Sequence, residues 1–305
     1  MIAHQLVIED VDELAYSVSP WQLRMTQLSP GKLDATMQVC ALGDILISSE
    51  RWTRKIAASG RTPPGYLVLA GPINGRGFNW CGVDTGYQRL ACSVDEREVD
   101  FITWDDEFHW VLLVPLETLR NQLGEGTTHS LCRLPSSIHV DPALSQSLCD
   151  AILATLNPSS APGASITPSE FMEAARNRLL DAVSRLVLAL ETTQVATENA
   201  TIRTRAYQRA RILIENNKRP IPVEELASKV GVTRRCLEIG FKEATGVSPK
   251  TFMQRSLLNQ LHHELLHGDP QAVRLHRQQR RVCLPPHRVR QRPVRDQPPA
   301  QAGGD

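Results

Sequence analysis

The apolar residues of this chain change their period once along its length. Between Trp21 and about Leu116 they fall in short runs, GDILIS, GYLVLAG, VDFITW and FHWVLLVPL, broken by Pro63-Pro64-Gly65, Asn74-Gly75 and Asp84-Thr85-Gly86. Short apolar runs bounded by turn residues are strand signals, and many of them at close spacing predict a small barrel or sandwich. After Glu117 the spacing becomes helical, first over Glu117–Leu123 and then from Pro142, where Leu144, Leu148, Ile152 and Leu156 share one helix face. Strands followed by helices is the pattern of an α+β chain. The β-rich part is expected over residues 1–130 and a helical linker over 131–200.

Within that linker NPSSAPGASITPS (157–169) is a loop by composition, and Ser169 is the expected N-cap of the next helix. Phe171, Ala175, Leu179, Ala182, Leu186 and Ala189 then recur at helical spacing, flanked by Leu180, Val183, Val187 and Leu190. A stripe this wide needs a partner surface, either its own domain or the same helix (169–191) of a second chain in a homodimer. All five Trp lie in the strand region. They serve packing, or some of them line a pocket for a small-molecule effector inside the barrel.

The net charge of +1 conceals an asymmetry. Residues 1–200 hold 14 Lys and Arg against 24 Asp and Glu, whereas residues 201–305 hold 20 against 9. A basic C-terminal part points to a polyanionic partner, because cations near phosphates release condensed counterions. The cysteines Cys40, Cys81, Cys92, Cys132, Cys149, Cys236 and Cys283 show no metal-ligand spacing and are expected to be small buried hydrophobes in a reducing compartment. The N-terminus lacks the features of a signal peptide and no apolar run is long enough for a membrane span, so a cytoplasmic protein without membrane contact is expected. No GxSxG, P-loop, HExxH or dinucleotide fingerprint occurs, and neither an enzyme, a metal site nor a cofactor is expected.

PVEELASKVGVTRRCLEIGFK (222–242) carries the spacing of a helix-turn-helix. Ala227 lets two helices approach, Gly231 can take the left-handed turn and Leu237 points into the shared core, with Leu226, Val230, Val232 and Phe241 completing the apolar side. Thr233 can cap the second helix, whose first turn projects Arg234 and Arg235. Gly240 inside that helix is locally unfavourable, by up to about 1 kcal/mol relative to Ala.

With its continuation EATGVSPKTFMQRSLLNQLHHELLHG, this segment resembles the first half of an AraC-type DNA-binding domain. The resemblance covers Ala206 to Leu266 and includes the Thr245-Gly246-Val247-Ser248-Pro249 junction and the aromatic Phe252. WQLRMTQLSPGK (21–32) is similar to the effector domain of ethanolamine-operon-type activators. The resemblance implies a transcription activator that binds promoter DNA through residues 201–268, responds to a small-molecule effector and contacts RNA polymerase. It implies that the second helix of the motif enters the major groove, with Thr233, Arg234, Arg235, Glu238, Ile239 and Lys242 as DNA-binding residues. Arg can pair with guanine, Glu can accept from cytosine, and Lys242 and Lys250 suit phosphates.

After His267 the sequence departs from that pattern. Residues 269–305 hold eight Arg and six Pro with no Phe, Trp, Tyr or Ile, and are expected to be a disordered tail in place of a second helix-turn-helix. Two other functions remain open. One is a partner protein that dimerises with an intact regulator without binding DNA; the other is a cupin-like enzyme, for which the GxxxxHxH cluster is missing and His109, His129 and His139 are widely spaced.

Overall fold

The structure, a computed structural model, describes residues 4–157, 167–192 and 201–267, apart from 19, 75 and 218. Strand β1 (His4–Ile8) and helix α1 (Val11–Ser17) precede β2 (Gln22–Gln27), β3 (Ala35–Leu42), β4 (Ile45–Trp52), β5 (Ile56–Arg61), β6 (Tyr66–Pro72), β7 (Asn79–Trp80), β8 (Val83–Asp84), β9 (Arg89–Val94), β10 (Glu98–Ile102) and β11 (Glu107–Pro115). Helices α2 (Leu116–Leu123) and α3 (Glu125–Leu131), strand β12 (Ser137–His139) and helices α4 (Pro142–Leu156) and α5 (Pro168–Thr192) follow. The helices α6 (Ile202–Glu215), α7 (Val223–Val230), α8 (Arg234–Thr245) and α9 (Pro249–His267) complete the described chain. The expected α+β order, strands first and helices after, is the order observed.

The strands pair antiparallel into two sheets, ordered β1-β3-β4-β11-β6-β9-β12 and β2-β5-β10-β7-β8. Successive side chains of a strand point to opposite faces, and the central strands of both sheets are buried on each face. Along β11, Trp110, Leu112 and Val114 join a core with α4 and α5, while Val111 and Leu113 face the space between the sheets. Burial on both sides is why FHWVLLVPL reads as an unbroken apolar run. In the second sheet Met25, Ala58 and Phe101 face inward. Their neighbours Leu28, Ala57 and Ile102 face outward into a core with α6, α7, α8 and the start of α9.

The segment expected as a linker is part of the first core. Asp141 caps α4, accepting from the Ala143 N–H at 2.7 Å, and Leu148, Ile152 and Leu156 are buried against the seven-stranded sheet. The α5 stripe is occupied in the same way: Ala175, Leu179, Leu180, Ala182, Val183, Leu186, Val187 and Leu190 are buried there. Burying a large aliphatic side chain contributes roughly 1.5–3 kcal/mol, which self-association through this face would first have to forfeit. Of the apolar residues of α5, Leu188 is the large one left exposed. The stripe therefore belongs to its own domain, and the dimer reading of 169–191 loses the observation that motivated it. The helix also begins earlier than expected. Thr167, not Ser169, caps it: the Glu170 N–H donates to Thr167 Oγ1 at 3.3 Å, and the Thr167 N–H donates to Glu170 Oε2 at 2.9 Å, a reciprocal capping box with Pro168 at the first helical position.

The described residues through Asn259 form one compact unit, and a second begins at Gln260, described only as the end of α9. No described helix is long and apolar enough to cross a membrane. Cys40, Cys92 and Cys149 are buried as expected, whereas Cys132 is exposed. The 269–305 tail, its expected disorder and Cys283 lie outside the described residues.

Candidate nucleic-acid interface

Gly231 ends α7 in the left-handed conformation, with φ 78° and ψ 33°. Glycine takes it without steric cost, and the Val232 N–H then donates back to the Ala227 carbonyl at 3.0 Å. Two residues on, Thr233 is extended and its hydroxyl accepts from the Cys236 N–H at 3.2 Å, which starts α8. Leu226, Ala227, Val230, Leu237 and Phe241 close the angle between the helices. Beneath them Tyr207, Phe241 and Phe252 meet edge to face, with ring centroids 5.1 Å and 5.5 Å apart along the chain of contacts. The three residues expected to make the helix-turn-helix stand where that motif needs them.

One side of α8 is closed by α6. A Cβ on Gly240 would lie 2.6 Å from the Arg203 carbonyl oxygen, so the residue that costs local helix stability is the one that lets the two helices touch. Arg203 also pairs with Glu243 at 2.7 Å. Of the residues expected at DNA, Thr233 has its hydroxyl committed to the cap, Arg235 and Lys242 are exposed, and Glu238 and Ile239 are half-buried. Among the described residues neither Arg235 nor Lys242 has an ion-pair partner. Arg234 does: its Nε donates to Glu238 Oε1 at 2.8 Å and its Nη1 to Glu224 on α7. Glu238 and Glu224 raise the already basic guanidinium further. Two of the residues expected to read bases are thus bonded to each other. The tie to Glu224 crosses the turn, and only the acidic start of α7 hinted at it.

The opposite side of α6 rests on the five-stranded sheet through a buried polar junction. Arg211, 1 % exposed, donates from Nε to Glu215 Oε1 at 2.7 Å, and its Nη1 lies 3.4 Å from the Tyr207 hydroxyl and 3.9 Å from Asp100 Oδ2 of β10. Gln208 Nε2 donates to Asp100 Oδ1 at 3.0 Å and the Ser59 hydroxyl to Glu215 Oε2 at 2.8 Å. Burial pushes the Asp100 carboxyl up, against the pull of Arg211, and pushes the Tyr207 phenol up to about 12. Burial works against the Arg211 charge, but Tyr207, Glu215 and Asp100 more than compensate and hold its pKa above the ordinary value.

Between the sheets Trp21, Trp52, Phe78, Trp80, Phe101, Glu50 and His109 line a small cavity that opens to solvent. Glu50 Oε1 accepts from the Ser48 hydroxyl at 2.7 Å, and its Oε2 lies 3.7 Å from His109 Nε2. Glu107, near His109, is also buried; burial raises its pKa, while His109, a backbone hydrogen bond at Trp104 and Arg76 pull it back. Among the described residues the Trp52 and Trp80 indole N–H groups have no hydrogen-bond partner. Among the described residues of the barrel no three ligating side chains converge closely enough to share a metal ion.

No family model matches this chain, and neither does any curated protein. Among solved structures it is similar to the AraC-like transcriptional activator CuxR, at 16% identity and a TM-score of 0.45, over 86% of this chain and 96% of that one. ToxT from Vibrio cholerae strain SCE256, solved with an unsaturated fatty acid bound, is 8% identical over 74% of this chain and 81% of its own, with a TM-score of 0.29. An oxalate decarboxylase structure matches at 10% identity over 55% of this chain and 48% of its own, with a TM-score of 0.21. Likenesses this distant carry no function.

Proposed function

We propose that this chain is a sequence-specific DNA-binding transcription regulator of the AraC type, which acts in the cytoplasm as an activator. The observation that supports the reading best is α8 itself: a capped helix, set by a left-handed glycine against α7 and packed on α6 along one side, with Arg235, Glu238, Ile239 and Lys242 on the side left over. The N-terminal α7 and α8 ends, with Arg234 between them, approach the same groove; Lys242 takes a phosphate and Arg235 a guanine edge. Promoter DNA is the partner of this surface, RNA polymerase the partner of the bound complex, and a homodimer formed through a surface other than the α5 stripe the assembly. The barrel cavity holds the small-molecule effector, since it combines aromatic walls with the few converging polar groups that such sites use.

Selection from a randomised-site DNA library tests the central claim. Wild-type protein should enrich one motif, and Arg235→Ala should lose about 1–3 kcal/mol of affinity for it and relax preference at one base position. A chain that enriches no motif is not a sequence-specific regulator; an Arg235→Ala protein with unchanged preference removes Arg235 from base reading.

A further inference from the structure

The five-stranded sheet is a single layer of backbone between the cavity and the helices, and its strands touch both. On β10, Val99 and Phe101 face inward and Phe101 lines the cavity, while Asp100 and Ile102 face α6. On β2, Leu23 and Met25 line the cavity and Arg24 between them reaches the Glu215 carbonyl at 3.4 Å. The β7–β8 hairpin repeats the pattern. Trp80 lines the cavity, and the next two residues, Cys81 at φ 51° and Gly82 at φ 85°, make the tight turn. A Cβ on Gly82 would lie 2.3 Å from the Thr204 methyl of α6, and the Cys81 N–H donates to the Asp100 carbonyl at 2.7 Å. Adjacent residues of a strand are about 3.8 Å apart at Cα, so a push on Phe101 reaches the α6 contact at Asp100 through one peptide unit, and a push on Trp80 reaches the one at Gly82 through two.

The contact it reaches is half made. Arg211 Nη1 and Asp100 Oδ2 stand 3.9 Å apart, beyond hydrogen-bond length, and among the described residues Asp100 Oδ2 and Arg211 Nη2 are buried without a hydrogen-bond partner. Closing by an ångström would complete a charge-assisted hydrogen bond, and opening would leave both groups to water. Packed interiors favour discrete arrangements of this kind over continuous deformation, and a coupling route needs such an element.

We infer that β10 couples the cavity to the helix-turn-helix, with Phe101 as its input and the Asp100–Arg211 contact as its output. The inference rests on the cavity being the effector site. An occupant that moves Phe101 tightens or slackens Asp100 against Arg211 and so sets how firmly α6, and α8 packed on it, is held. Asp100 and Arg211 are positioning residues, remote from DNA and effector alike.

Amide hydrogen exchange across residues 207–215 in the full chain tests the coupling without any ligand. Phe101→Leu and Asp100→Asn should each speed exchange there by about tenfold, and the double variant should exceed the faster single by no more than about twofold, because both act through one contact. Val68→Ala, which removes interior volume from the seven-stranded sheet, should speed exchange in the barrel strands and leave 207–215 unchanged. Multiplied effects in the double variant, no effect of Phe101→Leu, or an equal response to Val68→Ala would each overturn the coupling; Phe101→Met substitutes if Phe101→Leu does not fold. The effector reading fails separately, if no small molecule alters indole fluorescence of the wild-type chain, an outcome that leaves the exchange result untouched.

Discussion

Arg234 and Arg211 each face two carboxylates, and they differ in where the water is. Arg234 holds Glu238 of α8 and Glu224 of α7 at the surface, where Arg234 and Glu224 are exposed and Glu238 half-buried. Arg211 holds Glu215 and approaches Asp100 under α6, with its own side chain 2 % exposed. On the surface the attraction is screened and the side chains can exchange partners, which suits a group whose carboxylates must give way to phosphates or bases. In the interior the charges have lost their hydration, so the same pairing is obligatory and its loss is expensive. The ion pairs of Arg234 are therefore the dispensable ones.

Breaking the buried side of the comparison should have the largest effect. Arg211→Ala leaves Glu215 and Asp100 under α6 without their counter-charge, and should cost about 3–5 kcal/mol in denaturant unfolding of the full chain. A loss below about 1 kcal/mol would mean that water reaches the junction, and the contrast with Arg234 would collapse.

Glu107 sharpens the comparison, as a buried carboxylate with no arginine bonded to it. Its folded pKa is raised by burial, so the protonated form is the one the fold prefers; the stability from that preference is present below the unfolded pKa and lost as pH rises through the folded one. Glu107→Gln should accordingly stabilise the chain at neutral pH, by about 1–3 kcal/mol, and the advantage should shrink on acidification into the ordinary carboxylate range. Thermal unfolding of both proteins across that pH range checks the sign. A gain that grows on acidification would contradict it.

The exposed side should give the smallest effect on stability and a visible one on binding. Glu224→Gln should leave the melting temperature unchanged, while DNA affinity rises because Arg234 is released and a negative charge near the phosphates is gone. Weaker binding after this substitution would show that Glu224 positions Arg234 for DNA instead of competing with it.

Much of the candidate interface was legible from the residues because its determinants are local. Ala227, Gly231, Thr233 and Leu237 act over one turn each, through a left-handed φ, a cap and one apolar contact. The ion pair of Arg234 with Glu224 was not legible, since Glu224 belongs to another helix across the turn. A pocket lined by tryptophans was one of the two readings of those residues, but its polar groups were not legible: Glu50 and His109 face each other because β4 and β11 pair in that register, and nothing near either residue announces it.

The sequence by itself determined the change from strands to helices, the limits of α4 and the angle of the helix-turn-helix, because periodicity, caps and turn glycines act within a few residues. Which covered face belongs to which core was decided only in the tertiary structure. The stripe of α5 states that a partner is needed but not whose, and Asp100 beside Phe101 reads as ordinary alternation until α6 lies on one side of β10 and the cavity on the other. Burial is a property of what lies across the interface, and those residues come from distant parts of the chain.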